Sequence, residues 1–360
     1  MISVTAASGA YEIHCRWGAL ADLGSLMRDA GLRGSAFVIS DSNVGPQFGE
    51  RALAALHASG VEAVLTKIPA GESSKSLDTV RDMYDWLIDH RAERGSAIVA
   101  LGGGVVGDLA GFVAATYLRG VPFVQCPTSL LSMVDASIGG KVGVDHPRGK
   151  NLIGAFYPPR LVVQDTSLLA SLPSRSLREG FAEVIKHGFI MDAPMLDILA
   201  HDAKRLLSVE PELTTEIVAR NAALKAKVVS EDEREGGLRM NLNYGHTIGH
   251  AIEAVTGYGP ILHGEAISIG MMAAAAIGNR MGITPTEILE RQRALFALYG
   301  LPLTAPGVDV DAVLAATKLD KKVAGKKLRW VLVEDFGKPV VRDDVPDEVV
   351  RAVLAELFQA

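Results

Sequence analysis

The sequence predicts an α/β domain in the N-terminal half of the chain and a mainly α-helical domain in the C-terminal half. From about residue 10 to 165, short runs rich in β-branched residues alternate with amphipathic segments, the pattern of strands joined by helices. Beyond about residue 177 these runs nearly vanish, and long segments rich in Ala, Leu, Glu and Met carry helical spacing. At 360 residues the chain also exceeds what one hydrophobic core usually organises.

Short apolar runs in the N-terminal half are predicted to form a mainly parallel sheet, and they cover 35–41, 62–68, 96–104, 121–127 and 160–165. Pro173 then breaks the last α/β connection, so we expect one domain over 1–174 and a second over 175–360. One exception in the helical half is KKLRWVLVED at 326–335, which is predicted to contain a hairpin strand.

Composition and charge exclude several classes of protein. Lys and Arg total 36 against 42 Asp and Glu, and the net charge of −6 argues against a general nucleic-acid binder. The N-terminus lacks a basic segment before an apolar run, and no apolar stretch reaches the roughly 20 residues that span a bilayer. Cys15 and Cys126 are too few for a disulfide framework or a zinc ribbon. We therefore expect a cytoplasmic protein that binds neither nucleic acid nor a membrane.

A glycine-rich turn, GGGVVGD at 102–108, follows the run at 96–104 and opens an Ala-rich segment. Glycine permits a tight turn and a close approach to a pyrophosphate, whose charge is favoured at a helix N-terminus. Such a turn can equally be a plain connection, so its context matters. Asp41 ends an earlier strand and could bind a ribose hydroxyl, or cap a helix. We predict a Rossmann-like dinucleotide site with the candidate residues Asp41, Asn43, Glu72, Lys75, Gly103, Gly104, Val105, Asp108, Thr128 and Ser129.

Histidines concentrate in one stretch of the helical half. His246 and His250 lie four residues apart on one face of a predicted helix, a spacing at which two imidazoles can share a metal ion, and His263 follows. The alternative for each is a hydrogen-bonded core histidine. Glu183 and Lys186 lie one turn apart in an apolar helix, where a carboxylate is costly unless a cation pairs with it. Glu183 is therefore a candidate third ligand, and an exposed Glu–Lys pair is the alternative.

Basic residues near the glycine-rich turns and the histidines could hold a phosphate and a carboxylate. Each one alone would also fit a solvated surface charge. The set is Arg119, Lys141, Lys150 beside Asn151, Lys225, Arg239 and the pair Lys321 and Lys322.

Seven segments, taken together and in order, resemble the 3-dehydroquinate synthases of the sugar phosphate cyclase superfamily. They are GESSK, GGGVVGD, SMVDASIGGKVGVD, GKN, GFAEVIK, REGGLRMNLNYGHTIGHAIE and LHGEA, and they run from about residue 70 through most of the chain. The resemblance implies a carbon–oxygen lyase of the shikimate pathway of aromatic amino acid biosynthesis, which converts 3-deoxy-D-arabino-heptulosonate 7-phosphate into 3-dehydroquinate and phosphate. It also implies NAD, a divalent metal (Zn²⁺ or Co²⁺) and a homodimer. The steps are oxidation by NAD, phosphate elimination, reduction and an intramolecular aldol reaction.

The resemblance also gives individual residues their roles. Glu183, His246 and His263 match the metal ligands, and Glu235 and His250 match the proton acceptors. In this assignment His250 does not bind the metal, whereas the spacing of the histidines alone would make His246 and His250 the two ligands. Lys141, Lys150 and Asn151 match positions near the cofactor and the substrate. The residues that match substrate-binding positions are Asp135, Lys186, Lys225, Arg239, Asn243 and Lys321. Arg119 matches a residue that binds the phosphate from the neighbouring subunit. Asp135 and Lys141 are counted with the catalytic residues.

Two enzyme alternatives remain at this point. Cyclases that form 2-deoxy-scyllo-inosose or epi-valiolone share the metal ligands, but Leu242 and Asn243 before Tyr244 favour the dehydroquinate type. A metal- and NAD-dependent polyol dehydrogenase would produce NADH steadily, and the set of basic residues argues against it. A non-catalytic binding protein would leave both sets of ligand residues unexplained.

Overall fold

The computed structural model describes residues 1–7, 9–324 and 328–359, and of residues 319–324 it describes the backbone. The chain divides into two compact units. The N-terminal unit comprises Met1–Leu172 and Val209–Glu233, and the C-terminal unit comprises Pro173–Ser208 and Arg234–Ala360. The predicted combination of an α/β half and a mainly helical half is confirmed.

The strands of the described residues are β1 (Ile2–Ala6), β2 (Gly9–Arg16), β3 (Ala36–Asp41), β4 (Ala63–Ile68), β5 (Ala97–Gly102), β6 (Phe123–Pro127), β7 (Lys141–His146), β8 (Gly149–Phe156), β9 (Leu161–Asp165), β10 (Trp330–Asp335) and β11 (Lys338–Arg342). The main sheet has the order β1-β2-β9-β6-β5-β3-β4. Its strands are parallel except β1, which pairs antiparallel with β2. The carboxyl ends of β3, β4, β5 and β6 therefore share one edge.

The helices of the same residues are α1 (Leu23–Asp29), α2 (Gly45–Ala58), α3 (Leu77–Asp89), α4 (Gly104–Thr116), α5 (Ser174–Met191), α6 (Ala193–His201), α7 (Ala203–Leu207), α8 (Pro211–Glu231), α9 (His246–Val255), α10 (His263–Arg280), α11 (Thr286–Tyr299), α12 (Val310–Ala324) and α13 (Asp347–Gln359). None of the described helices is both long enough and apolar enough to cross a membrane.

The core of the N-terminal unit lies on both faces of the main sheet. Neighbouring residues of β5 point to opposite faces, so that Val99 packs with Leu56 on one side and Ile98 with Leu109 on the other. β5, β6 and β9 are consequently buried along their whole length. Continuous β-branched runs are typical of parallel strands covered by helices on both faces. The five strands predicted for this unit are confirmed as β3, β4, β5, β6 and β9.

Two hairpins of the N-terminal unit were not predicted. β1 and β2 form the first, at the edge of the main sheet, and β7 and β8 form the second. In the second hairpin Gly143 lies opposite Gly154, and a Cβ on Gly143 would stand 2.6 Å from the carbonyl oxygen of Ile153. Glycines allow this approach but interrupt the apolar alternation by which strands are recognised in a sequence.

The helix α8 belongs to the N-terminal unit although it follows three helices of the other unit. Its residues Ala222 and Ala226 pack with Val4, Ile13 and Val162 in a core cluster at the edge of the main sheet. The helix thus covers apolar side chains of β1, β2 and β9. The predicted boundary between residues 174 and 175 stays a prediction, and the compact units differ from it mainly by the return of this helix.

The C-terminal unit is built around α10, which lies against α5, α9, α11 and α13. A Cβ on Gly270 of α10 would stand only 2.0 Å from the carbonyl oxygen of Gly245, the residue before α9. Backbone contact of this kind fixes α9 against α10, the helices that begin with His246 and His263. The predicted strand near the end is confirmed as β10, which forms a hairpin with β11.

Candidate functional site

The glycine-rich turn forms the predicted strand, turn and helix. β5 ends at Gly102, Gly103 follows in an extended conformation and α4 begins at Gly104. A Cβ on Gly107 would stand 2.9 Å from the side-chain oxygen of Gln125, so α4 approaches β6 closely. Gly103 brings no side chain to the helix N-terminus, and its missing Cβ would have an ordinary 3.6 Å contact with Ser129 Oγ. The unpaired N–H groups that begin α4 therefore suit a phosphate group.

A second feature of the N-terminal unit is a set of charged residues that we call the Lys75 cluster: Glu72, Lys75, Asp108, Lys150 and Asn151. The ammonium of Lys75 lies 2.6 Å from Asp108 Oδ2 and donates to the side-chain oxygen of Asn151. Glu72 Oε1 lies 3.9 Å from Lys75 Nζ and 3.4 Å from Lys150 Nζ. Four predicted cofactor residues and one predicted substrate residue thus meet in one network.

Electrostatics keep the centre of this cluster charged. Burial alone would lower the pKa of Lys75, which is 5% exposed, but the carboxylates of Asp108 and Glu72 outweigh burial and raise it. Burial raises the pKa of Asp108 despite its ion pair with Lys75. The residues predicted from the sequence did not include Asp145, whose Oδ1 accepts the N–H of Asn151 at 2.8 Å. Its place in the motif SMVDASIGGKVGVD was the available signal.

The remaining candidates of the N-terminal unit lie elsewhere. Asp41 Oδ1 accepts the N–H groups of Asn43 and Val44, each at 2.8 Å, so this oxygen serves the turn into α2. The N-cap residue of α2 is Val44, and no side chain caps this helix, so the alternative of Asp41 as the helix cap is wrong. Lys225 is buried and donates to the backbone oxygen of Asp135 at 2.6 Å as well as to its carboxylate. Thr128 and Ser129 lie in the turn after β6, and Val105 lies at the start of α4. Arg119 is exposed in the turn after α4, and Lys141 is the exposed first residue of β7.

In the C-terminal unit, Glu183, His246 and His263 form a group that could hold a metal ion, which we call the metal centre. Glu183 on α5 is fully buried, and its Oε1 lies 3.6 Å from His246 Nε2 and 3.8 Å from His263 Nε2. Two ligands about 2.1 Å from a tetrahedral ion stand about 3.4 Å apart, close to these separations. Among the described residues, neither carboxylate oxygen of Glu183 accepts a hydrogen bond. The ammonium of Lys186 forms an ion pair with Glu183 Oε2. One carboxylate and two imidazoles fit Zn²⁺ or Co²⁺.

Two further groups contact the imidazoles. His246 Nδ1 lies 3.2 Å from the carbonyl oxygen of Tyr244, which can only accept, so Nδ1 carries the proton. His263 Nδ1 lies 3.2 Å from the carboxylate of Glu253. Both arrangements leave Nε2 facing Glu183. The residues predicted from the sequence did not include Glu253, although its position one turn after His250 in the run GHTIGHAIE placed it near the histidines.

The pKa values follow from these contacts. Burial alone would raise the pKa of Glu183, but Lys186 and the two imidazoles hold it well below its usual value. Burial and the nearby ammonium lower the pKa of His246 strongly, so its ring is neutral and can donate a lone pair. Burial alone would lower the pKa of His263, but pairing with Glu183 and Glu253 raises it to about 10. The two carboxylates therefore favour the protonated form of the His263 ring.

Other candidates of this unit surround the centre to different degrees. Lys186 is 1% exposed and Glu183 0%, so the alternative of an exposed Glu–Lys pair is wrong. The exposed ring of His250 lies 5.1 Å from that of His246. Asn243 Nδ2 donates to Glu235 Oε1 at 3.0 Å. Arg239 is buried, and the side chain of Lys321 lies outside the described part of the chain.

Known proteins resemble this chain over most of its length. Family models match two consecutive parts of the chain, the 3-dehydroquinate synthase N-terminal model over residues 65–179 and the C-terminal model over residues 180–323. A relative from Nostoc punctiforme named 3-dehydroquinate synthase is 46% identical over 98% of both chains. One of the same name from Synechococcus is 46% identical over 98% of this chain and 97% of its own.

Solved structures of sugar phosphate cyclases have the same fold. The 2-epi-5-epi-valiolone synthase of Streptomyces hygroscopicus, with NAD⁺ and Zn²⁺ bound, has a TM-score of 0.89 at 29% identity and 96% coverage of both chains. A 2-deoxy-scyllo-inosose synthase with carbaglucose-6-phosphate, NAD⁺ and Co²⁺ has a TM-score of 0.88 at 29% identity and 99% coverage of both. A butanol dehydrogenase of Thermotoga maritima, at 17% identity, 97% coverage of both chains and a TM-score of 0.70, shares the fold alone. On the family models and the identity to its relatives, the chain belongs to the 3-dehydroquinate synthase family.

Proposed function

We propose that this chain converts 3-deoxy-D-arabino-heptulosonate 7-phosphate into 3-dehydroquinate and phosphate, as a carbon–oxygen lyase. The observation that carries the proposal is the set of buried Glu183 and half-buried His246 and His263, found in a chain 46% identical to a relative named 3-dehydroquinate synthase. The 2-deoxy-scyllo-inosose and epi-valiolone cyclases are less similar, at 29% identity.

The C-terminal unit would hold the divalent metal. When bound, Zn²⁺ or Co²⁺ supplies a Lewis acid that polarises the alcohol to be oxidised. Glu183, His246 and His263 bind it, and the ion pair with Lys186 keeps the Glu183 carboxylate ionised inside an apolar helix. His250 presents an exposed imidazole beside this centre, where it can take and return a proton.

The N-terminal unit would hold the dinucleotide. When bound, NAD would supply redox chemistry as a hydride acceptor that is not consumed. The N-terminus of α4 receives the pyrophosphate, and the Lys75 cluster supplies a buried positive charge and hydrogen-bonding groups beside it. Asp41 contributes through the carboxylate oxygen that does not serve the turn into α2.

The other assigned roles belong to the same proposal. Glu235, His250, Asp135 and Lys141 act in proton transfer and catalysis, and the anionic substrate is bound by Arg119, Lys141, Asn151, Lys186, Lys225, Arg239, Asn243 and Lys321. Arg119 would act across a homodimer, and the protein would work in the cytoplasm.

The test is an assay of purified protein with the heptulosonate phosphate, NAD and Zn²⁺ or Co²⁺, in which phosphate release and NADH absorbance are followed together. We expect stoichiometric phosphate without accumulation of NADH. Protein freed of metal by a chelator is the control and should release no phosphate. Steady NADH formation from a simple polyol without phosphate release would instead identify a polyol dehydrogenase.

A further inference from the structure

Glu253 and His263 face each other at the edge of the metal centre. Glu253 lies in the last turn of α9 and is 5% exposed, whereas His263 is the first residue of α10. The carboxylate Oε2 of Glu253 stands 3.2 Å from His263 Nδ1. Burial of a carboxylate is costly, and this contact is one that lowers the cost. Neither the family resemblance nor the spacing of the histidines assigned any role to Glu253.

The two nitrogens of the His263 ring face different partners. Nδ1 points to Glu253, and Nε2 points to Glu183 Oε1 at 3.8 Å. A carboxylate that accepts the Nδ1–H bond fixes the tautomer in which Nε2 offers its lone pair, and it holds the ring in one orientation. The carboxylate also makes the imidazole a stronger ligand because it stabilises positive charge on the ring.

The partner of His246 is weaker. Its Nδ1 donates to the backbone oxygen of Tyr244, a neutral acceptor. The two imidazoles of the centre are therefore oriented by groups of different charge, and His263 alone has a carboxylate behind it among the described residues. A charged acceptor forms the stronger hydrogen bond.

We propose that Glu253 is the positioning residue of the metal centre, which orients His263 and strengthens its bond to the divalent cation without contacting that cation itself. The proposal rests on the metal site of the proposed function. Glu253, His250 and His263 also form a group of three side chains that could hold a metal ion. The experiment must therefore distinguish positioning of His263 by Glu253 from direct binding of the metal by Glu253.

The experiment measures Zn²⁺ affinity by competition with a chromophoric chelator, and the visible absorption of the Co²⁺ form, in wild type, Glu253→Ala and Glu253→Gln. We expect Glu253→Ala to bind Zn²⁺ about 10- to 100-fold more weakly, with the Co²⁺ spectrum retained at saturation. Glu253→Gln should fall between wild type and Glu253→Ala, because an amide oxygen still accepts the Nδ1–H bond but carries no charge.

Glu179→Gln is the matched control. Glu179 is a carboxylate at the same end of α10, where its Oε2 accepts the N–H of Gly264 at 2.9 Å. An amide oxygen can accept that bond, so Zn²⁺ affinity should stay within about twofold of wild type. Thermal unfolding of the metal-free proteins separates a change in affinity from a change in fold, and Glu253→Gln keeps the side-chain volume if Glu253→Ala unfolds.

Unchanged Zn²⁺ affinity in both Glu253 variants would overturn the proposal. Complete loss of metal from folded Glu253→Gln, or two Zn²⁺ ions per wild-type chain, would overturn it in favour of direct ligation. Wild-type protein that binds no Zn²⁺ would overturn the metal site itself, and with it the proposed function. Weaker binding by the Glu253 variants combined with wild-type phosphate release in excess metal supports positioning.

Discussion

The metal centre and the Lys75 cluster both contain buried charged groups, but the distances between these groups differ. In the Lys75 cluster the charged groups contact each other directly, with Lys75 Nζ 2.6 Å from Asp108. In the metal centre two imidazole nitrogens stand 3.6 and 3.8 Å from the Glu183 carboxylate, too far for hydrogen bonds and suited to ligands that share an ion.

This difference predicts how far ligand binding at each site depends on a single residue. The charge of the Lys75 cluster is distributed over several side chains. Removal of one of these side chains should therefore weaken the binding of NAD without abolishing it. The metal centre concentrates its function in three ligand atoms that lie within 4.8 Å of one another. Loss of one ligand there should remove the ion altogether, because three protein ligands are the usual complement of a catalytic site.

The largest effect is expected for His246→Ala. This change removes one ligand atom of the metal centre, so the protein should lose its metal on desalting, and kcat should fall by at least about 1,000-fold. Metal content is measured by elemental analysis and turnover by phosphate release. Retention of a full equivalent of metal by the variant would contradict the assignment of His246.

His250→Ala tests the neighbouring histidine on the same helix. Because His250 is proposed to transfer protons and not to bind the ion, the variant should keep its metal while kcat falls by about 100-fold. The same two measurements apply, and His246→Ala is the comparison. Equal loss of metal in the two variants would mean that His250 is a ligand and that the two histidines share the ion, as their spacing alone suggests.

The affinity of the metal centre should depend on pH. His263 has a pKa of about 10, so below that pH the metal must displace its proton, whereas Glu183 is already ionised and His246 already neutral. Zn²⁺ affinity should therefore rise about tenfold per pH unit, or about 100-fold from pH 6.5 to 8.5. Calorimetry in two buffers of different ionisation enthalpy should show release of about one proton. An affinity independent of pH would show that His263 binds no proton in the metal-free protein.

The smallest effect is expected in the Lys75 cluster. Lys75→Met removes the buried ammonium beside Asp108 and Asn151 and should weaken NAD binding about tenfold, since one charged hydrogen-bonding group among several is lost. Calorimetric titration with NAD measures the change, and metal content should stay at the wild-type level. Lys227→Met, at an exposed lysine of α8 in the same unit, is the control and should bind NAD as wild type does. Unchanged affinity in Lys75→Met would remove the cluster from the proposed dinucleotide site.

Much of the fold was predictable because its signals are local. The continuous apolar runs of β5 and β6 are recognisable as covered strands, and the turn at 102–108 as a strand-to-helix connection. The β7–β8 hairpin was not recognisable, because the glycines at 143 and 154 that let its strands approach also interrupt the pattern. The return of α8 to the N-terminal unit was hidden as well, since a helical period does not say which surface the helix covers.

The sequence by itself determined the chemistry available to this protein. Residue types and motifs predicted the glycine-rich turn and a metal site near the histidines, because ligand atoms and backbone freedom are properties of the residues themselves. The family resemblance then selected Glu183, His246 and His263 as the ligands, where spacing alone pairs His246 with His250. Only the tertiary structure decided which nitrogen of each imidazole faces the carboxylate and what stands behind it. Glu253 and the Tyr244 carbonyl occupy those positions because α9 and α10 pack in backbone contact at Gly270, a long-range arrangement that no local pattern encodes.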